Sequence, residues 1–312
     1  MSLEDAPSPV PGPDEVIVRQ HTIGVNFSDV QARRGGSVYA RRPLPYCPGV
    51  EGAGRVISVG SAVRDVSPGQ LVTYFGTFGI YAEEVAVPSN RVVILPEGLS
   101  PDVAATVLSQ GVTAHILAHD VVPTLGAGDV ALVVAGGAGV GFLLVQLLVG
   151  LGLRVIATAS TDGKAKYARE AGARHVIVPA DGPVDQRVHD LTDGTRVGVV
   201  FDGVGRSTFN TSLRCLRPRG YLVMFGEASG PPELFSPAEL GHAGSLYLTR
   251  MLMTDYQGDV ATKRAREQAV LAMAASGMLK VRVHRRYPFA DAGAALDEVE
   301  ARGTSGKVLL MV

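Results

Sequence analysis

Two short segments carry residue types whose spacing could hold a phosphorylated cofactor. An apolar run at residues 130–135 leads straight into Gly136-Gly-Ala-Gly-Val-Gly141, and residues 142–149 are nearly all apolar again. A strand, a hinge almost bare of side chains and a helix N-terminus, in that order, let backbone N–H groups approach a pyrophosphate while the helix dipole favours its charge. The strict G-x-G-x-x-G pattern counted from Gly137 puts Phe142 where the last glycine belongs. The match is therefore to a variant, and a tight turn is the plainer alternative. A second apolar run at 153–158 completes a βαβ unit. At its end, where an NAD site places a carboxylate for the ribose hydroxyls, stand a hydroxyl at Ser160 and a cation at Lys164. These suit the extra phosphate of NADPH. Asp162 is the opposing residue, unless it caps the helix that begins near Gly163. His21, His115, His119 and His242 are scattered, and Cys47 and Cys215 have no C-x-x-C spacing, so no metal is expected.

These residues need elements to hold them. Glu15-Val-Ile-Val-Arg19 alternates as a half-buried strand does, and residues 50–60, 70–74 and 81–87 are short β-favouring runs set off by Gly and Pro. The N-terminal part therefore reads as β-rich. Ser100 can cap a helix over 101–118 with Pro101 at its first position and Gly111 as a candidate break. Strands at 130–135, 153–158, 175–178, 197–202 and 221–226 alternate with helical runs such as 164–171, which predicts a doubly wound parallel sheet. A helix over 263–276 follows, and residues 281–286 and 307–312 return to β character and should pack back onto the first domain.

With 312 residues, 46% hydrophobic and 19% charged, the chain has the size of two folded domains. Lys plus Arg number 29 and Asp plus Glu 30, which provides no basic field for nucleic acid or an anionic membrane. The nearly apolar stretch 140–159 is interrupted by Gln146 and Arg154 and divided by Gly150 and Gly152, so it reads as helix and strand rather than a membrane span. No signal peptide is recognisable, and two unrelated cysteines suit a reducing, cytoplasmic setting.

The segments Gly24-Val-Asn-Phe-Ser-Asp29, Pro48-Gly-Val-Glu-Gly-Ala-Gly54 and Val200-Phe-Asp-Gly-Val-Gly-Arg206 resemble the zinc-independent quinone oxidoreductases of the medium-chain dehydrogenase/reductase superfamily. So do Ser109-Gln-Gly-Val-Thr113, Arg219-Gly-Tyr-Leu-Val-Met-Phe-Gly226 and Gly244-Ser-Leu-Tyr-Leu-Thr-Arg250, in order along almost the whole chain. The resemblance implies an α/β protein. A β-rich chaperonin-10-like (GroES-like) domain, residues 1–108 and 270–312, would flank a Rossmann domain at 109–269, commonly in a homodimer. One departure is an additional N-terminal strand in family members, lacking ahead of the segment matching 2–12, which would leave an unpaired sheet edge.

The resemblance also assigns residues. It carries Gly139, Val140 and Gly141 to the pyrophosphate, Lys164 to the 2′-phosphate of NADPH, and Thr113 to the nicotinamide side. Val204 and Gly205 fall in one strand-end loop and Phe225 and Gly226 in the next, while Met251, Leu252 and Met253 would line the nicotinamide pocket. Arg302 matches a cofactor-contacting arginine, with a surface salt bridge as the plainer role. A family tyrosine near the nicotinamide falls on Gln31, and one near the adenosine phosphate on Pro179. Related alcohol dehydrogenases bind catalytic zinc through Cys and His, but the matching positions here, Asn26 or its neighbours and Val50, are not tetrahedral zinc ligands, and the four-cysteine lobe is missing. Asn26 can donate a hydrogen bond to a quinone or enone oxygen as hydride arrives. Tyr39 and Tyr46 could stack on a planar acceptor, supply a proton to an enolate, or simply pack in a loop. Asp29 reads as structural. The first reading is an NADPH-dependent quinone oxidoreductase. An enone or enoyl-thioester reductase of the same superfamily and a non-catalytic NADPH-binding sensor are the alternatives.

Overall fold

A computed structural model describes residues 1–35 and 44–312. The chain opens with β1 (Glu15–Val25), α1 (Phe27–Arg34), β2 (Glu51–Val59), β3 (Leu71–Phe75), β4 (Glu84–Pro88), β5 (Val92–Ile94) and α2 (Pro101–His119). Next come β6 (Val130–Val133), α3 (Gly139–Gly150), β7 (Arg154–Thr158), α4 (Asp162–Glu170), β8 (His175–Ile177), α5 (Val184–Leu191) and β9 (Val197–Asp202). The remainder is α6 (Phe209–Arg214), β10 (Leu216–Met224), α7 (Pro237–His242), β11 (Tyr247–Arg250), α8 (Val260–Ala275), β12 (Val283–Pro288), α9 (Ala292–Glu300) and β13 (Lys307–Met311). Two compact units result, Met1–Val112 with Asp259–Val312, and Thr113–Gly258. No helix among the described residues is long and apolar enough to cross a membrane.

In the first unit a mixed sheet runs in the order β12-β13-β1-β2-β3-β5, with β4 also paired to β1. One edge of β1 holds β2, while the other holds β4 along Glu15–Arg19 and β13 along 22–25. Gln20 stands where the partner changes. Its buried amide donates to the carbonyls of Ile80 and Ala82 (2.5 and 2.8 Å) and accepts from the Tyr74 hydroxyl (2.7 Å), so the seam leaves its polar atoms satisfied. A Cβ at Gly54 would lie 2.1 Å from the Arg19 carbonyl oxygen, which is why β2 carries glycine at the close approach. The sheet ends at β12, whose exposed His284, Arg285 and Arg286 blunt the edge with charge.

Several expectations are revised. Gly111 does not divide α2: a Cβ there would lie 2.5 Å from Val270 Cγ1 on α8, so the glycine admits a neighbouring helix. The seam expected at 269 falls inside α8, which belongs whole to the first unit, where Val270 and Leu271 are buried. The strand expected from 81 begins only at Glu84, because Tyr81 turns into the core and donates to Asp29.

The second unit is a six-stranded parallel sheet in the order β11-β10-β9-β6-β7-β8. Both faces are covered, as the near-continuous burial of β6 and β9 requires. Strand order reverses between β6 and β9, and doubly wound sheets bind ligands beyond the carboxyl ends at such a switch point.

Candidate active site

In the second unit, the sequence-predicted cofactor residues other than Thr113, which lies on α2, follow the carboxyl ends of these strands in loops and first helical turns. The hinge after β6 begins with Ala135 in the left-handed region (φ 58°). Its glycines serve close packing: a Cβ at Gly136 would lie 2.7 Å from Ala157 Cβ on β7, one at Gly137 2.0 Å from the Lys164 carbonyl, and one at Gly141 2.4 Å from the Ala135 carbonyl. Gly139, Val140 and Gly141 form the first turn of α3, whose N–H groups have no intrahelical partner and suit an anion.

Beyond β7, Ser160 is exposed, and Thr161 rather than Asp162 caps α4 by accepting from the Lys164 N–H (3.3 Å). Asp162 is the exposed first residue of that helix. Lys164 stands one turn in, half-buried, and partial desolvation holds its ammonium below the ordinary lysine range. Val204 and Gly205 sit in a loop organised by buried Asp202, which accepts from both N–H groups (2.8 and 3.1 Å) and from the hydroxyls of Thr208 and Ser212 (each 2.7 Å). That loop meets the Phe225–Gly226 turn backbone to backbone, since a Cβ at Gly226 would lie 2.6 Å from the Gly203 carbonyl. Met251 is buried and donates its N–H to the Met224 carbonyl, Leu252 is exposed, and Met253 Sδ lies 3.6 Å from the Thr113 hydroxyl. Ser160, Lys164 and the helix N-terminus are the donor set that a 2′-phosphorylated dinucleotide calls for.

In the first unit, Asn26 ends the turn from β1 into α1. Its backbone N–H donates to Asp29 Oδ2 (2.9 Å), and the Asp29 N–H returns to the Asn26 carbonyl (3.0 Å). The carboxamide faces a buried ion pair. Lys307 Nζ donates to Asn26 Oδ1 (2.6 Å) and to Glu51 Oε2 (2.5 Å), while Asn26 Nδ2 donates to Glu51 Oε2 (3.1 Å) and the Gly24 carbonyl (3.2 Å). Glu51 Oε1 accepts the Ser109 N–H (2.7 Å). Lys307 and Glu51 are 1% and 0% exposed. Both hydrogens of the Asn26 amide, expected from the sequence to donate to an acceptor oxygen, are engaged within the protein, the longer contact being the one to Gly24.

Asp29 is buried, and among the described residues its carboxylate accepts from the Asn26 N–H and the Tyr81 hydroxyl (3.2 Å). Burial pushes its carboxyl up to about 7, against the opposing pull of the Asn26 N–H, the Lys307 ammonium and Tyr81. Tyr81 is driven well above the usual phenol range by the same burial and by that carboxylate. Tyr46 is half-buried in irregular chain ahead of β2, and Tyr39 lies outside the described residues. Arg302 follows α9 with φ 58° and lays its guanidinium over the Phe27 ring at 5.8 Å, next to Asn26 in sequence. Gln31 lies on α1 and Pro179 is exposed after β8. Among the described residues no group of three or more His, Cys, Asp or Glu could hold a metal ion.

The sequence reading missed Glu51, Lys307, Tyr81 and the Ser109 N–H. The available signals were weak: one carboxylate among small residues in Gly49-Val-Glu-Gly-Ala53, and one ammonium heading the apolar strand Lys307-Val-Leu-Leu-Met311.

A β-rich unit completed by the C-terminal tail, together with a dinucleotide-type parallel sheet, defines the two-part architecture of the medium-chain dehydrogenases and reductases. Residues 12–97 match the alcohol dehydrogenase GroES-like domain, and residues 139–275 match the zinc-binding dehydrogenase family. The quinone oxidoreductase of Pseudomonas aeruginosa is 37% identical over 302 residues, covering 96% of this chain and 92% of the relative. A 2-haloacrylate reductase from a Burkholderia species is 33% identical over 310 residues, with 96% and 92% covered. The crystal structure of Escherichia coli quinone oxidoreductase complexed with NADPH superposes with a TM-score of 0.94 at 33% identity, covering 99% of this chain and 95% of that one. The chain belongs to the quinone oxidoreductase family of the medium-chain dehydrogenase/reductase superfamily.

Proposed function

We propose that this protein is an NADPH-dependent quinone oxidoreductase that works without zinc. The observation that carries the reading is the loop after β7, where the Ser160 hydroxyl and the Lys164 ammonium precede and follow a Thr161-capped helix start. The names of the P. aeruginosa and E. coli relatives support the same activity. When bound, NADPH supplies a hydride from C4 of its nicotinamide, and with one proton from water the quinone becomes a hydroquinone. The chain's own part is binding and charge stabilisation. The first turn of α3, Val204, Gly205, Phe225 and Gly226 hold the dinucleotide by its backbone-lined loops, and Thr113 with Met251, Leu252 and Met253 borders the nicotinamide. Asn26 gives the N–H now shared with Gly24 to the oxygen on which charge develops, and Tyr46 flanks the acceptor ring.

Zinc independence is supported by the donor set, since Val50 has no ligand atom and the cation beside Asn26 and Glu51 is the Lys307 ammonium. We include a homodimer and a cytoplasmic setting in the proposal. The sheet ends at β11, where exposed Tyr247 stacks on Tyr221 at 4.5 Å, a surface suited to a second copy. Sedimentation should then give twice the chain mass of 32.6 kDa.

The 2-haloacrylate reductase relative favours a second reading, reduction of an activated carbon–carbon double bond. A panel of quinones and enones assayed with NADPH decides between them. Higher kcat/KM on quinones supports the first reading, and turnover confined to enones would replace it. Asn26→Ala should lower turnover on the better substrate, a loss of about 3 kcal/mol of transition-state stabilisation if the amide behaves as one oxyanion donor. Unchanged kinetics would remove Asn26 from the acceptor site.

A further inference from the structure

We propose that Lys307 and Glu51 are positioning residues that lock the Asn26 carboxamide in one orientation and polarise it as a hydrogen-bond donor. The inference rests on the reading that Asn26 faces the acceptor. An ammonium has no lone pair to accept with and a carboxylate no proton to give. With Lys307 Nζ 2.6 Å from Oδ1 and Glu51 Oε2 3.1 Å from Nδ2, a half-turn of the amide would set donor against donor and acceptor against acceptor. Neither charge can drift. Glu51 is held at its other oxygen by the Ser109 N–H at 2.7 Å, and Lys307 is held by Glu51 at 2.5 Å. The ammonium on Oδ1 draws electron density out of the amide, which strengthens the Nδ2–H groups as donors.

The placement has little rationale in stability. Buried ion pairs are commonly no better than well-packed apolar residues of the same volume. This one joins the first residue of β13 to the first residue of β2, 256 positions apart. Gly24 is kept free of a side chain beside it, since a Cβ there would lie 2.7 Å from Lys307 Cε and 3.1 Å from Glu51 Oε2. Strand, glycine and helix backbone are thus all shaped around two charges whose remaining shared partner is Asn26.

The test is a cycle in steady-state kinetics with NADPH and the preferred acceptor. The double variant Lys307→Met/Glu51→Gln removes both charges together, leaving no unpaired ion in the core. It should lower kcat about tenfold and leave KM for NADPH within about twofold. In an Asn26→Ala background the same two changes should alter kcat by less than about threefold, because the group they position is gone. An equal loss in both backgrounds, or an unchanged kcat beside wild-type Asn26, overturns the inference. The Asn26 side-chain amide resonances, assigned by their loss in Asn26→Ala, should shift in the double variant, and unmoved resonances also overturn it. If the double variant fails to fold, Glu51→Gln, which keeps an oxygen for Ser109, carries the same cycle. Asn26→Ala without effect would reject the assignment of Asn26 to the acceptor site, whereas a damaging Asn26→Ala beside silent Lys307 and Glu51 variants would reject the positioning role alone.

Discussion

At the scale of single residues, two side chains make opposite use of burial. Partial burial of Lys164 removes water that would otherwise compete for its ammonium, which would sharpen the proposed pairing with a 2′-phosphate. Lys164→Ala should weaken NADPH about tenfold to a hundredfold, from a lost charge-assisted bond worth roughly 1.5–3 kcal/mol, and leave NADH nearly level. Calorimetric titration of both dinucleotides checks this, and equal losses would make Lys164 a support of the fold. Burial of Asp29 instead disfavours its charge. The folded carboxyl, with a pKa of about 7, holds its proton more tightly than the unfolded one at 3.8. Its contribution to stability is therefore present below about pH 4 and lost as pH rises towards 7. Asp29→Asn, whose amide oxygen still accepts the Asn26 N–H, should gain on wild type between pH 4.5 and 8 by on the order of 4 kcal/mol at most in urea unfolding. Parallel pH profiles for the two proteins would contradict this. The place of Ser160 and Lys164 beyond β7 was legible in the sequence because it depends on local spacing from one strand end. Glu51 and Lys307 were not, because each is a single charge in an apolar context whose meaning comes from a partner brought by β13 from the far end of the chain.

At the scale of elements, periodicity and turn residues disclosed β1, β2, β3, α2 and the βαβ unit, where hydrophobic patterns are long or sharply bounded. The short β5 and the helices α5 and α9 were not read from the sequence, and tertiary packing holds them by burying Val92, Val93, Val188, Ala295 and Leu296. Gly111 shows how a correct local signal can mislead. Glycine lowers helix propensity, yet α2 runs through it because α8 packs at that point. Gly111→Ala should gain in propensity and lose more by overpacking against Val270, a net destabilisation of about 1–3 kcal/mol. Combined with Val270→Ala, the two changes should couple by at least about 0.5 kcal/mol in thermal or urea unfolding, since the smaller side chain makes room for the new methyl group. Strict additivity would mean that the helices separate freely there and that the glycine has another purpose.

At the scale of the whole molecule, the question is what supplies positive charge to an acceptor as hydride reaches it. Zinc enzymes of this architecture supply it as a metal ion held by soft or imidazole ligands. Here the described residues hold no grouping of His, Cys, Asp or Glu suited to that, and a buried ammonium stands beside the only carboxamide at the head of α1. On the proposed reading, the Lys307 ammonium brings one positive charge, has no open coordination position and would act on the acceptor through Asn26, which would suit quinones, whose reduced oxygens are stabilised by the ring and protonated by water. An alcohol or unactivated ketone would need a stronger electrophile. Dialysis against a strong chelator should therefore leave kcat with NADPH and a quinone unchanged, and metal analysis of the purified protein should find zinc well below one per chain. Activity that disappears on chelation and returns with added zinc would place the electrophile elsewhere and reduce Lys307 to a core charge.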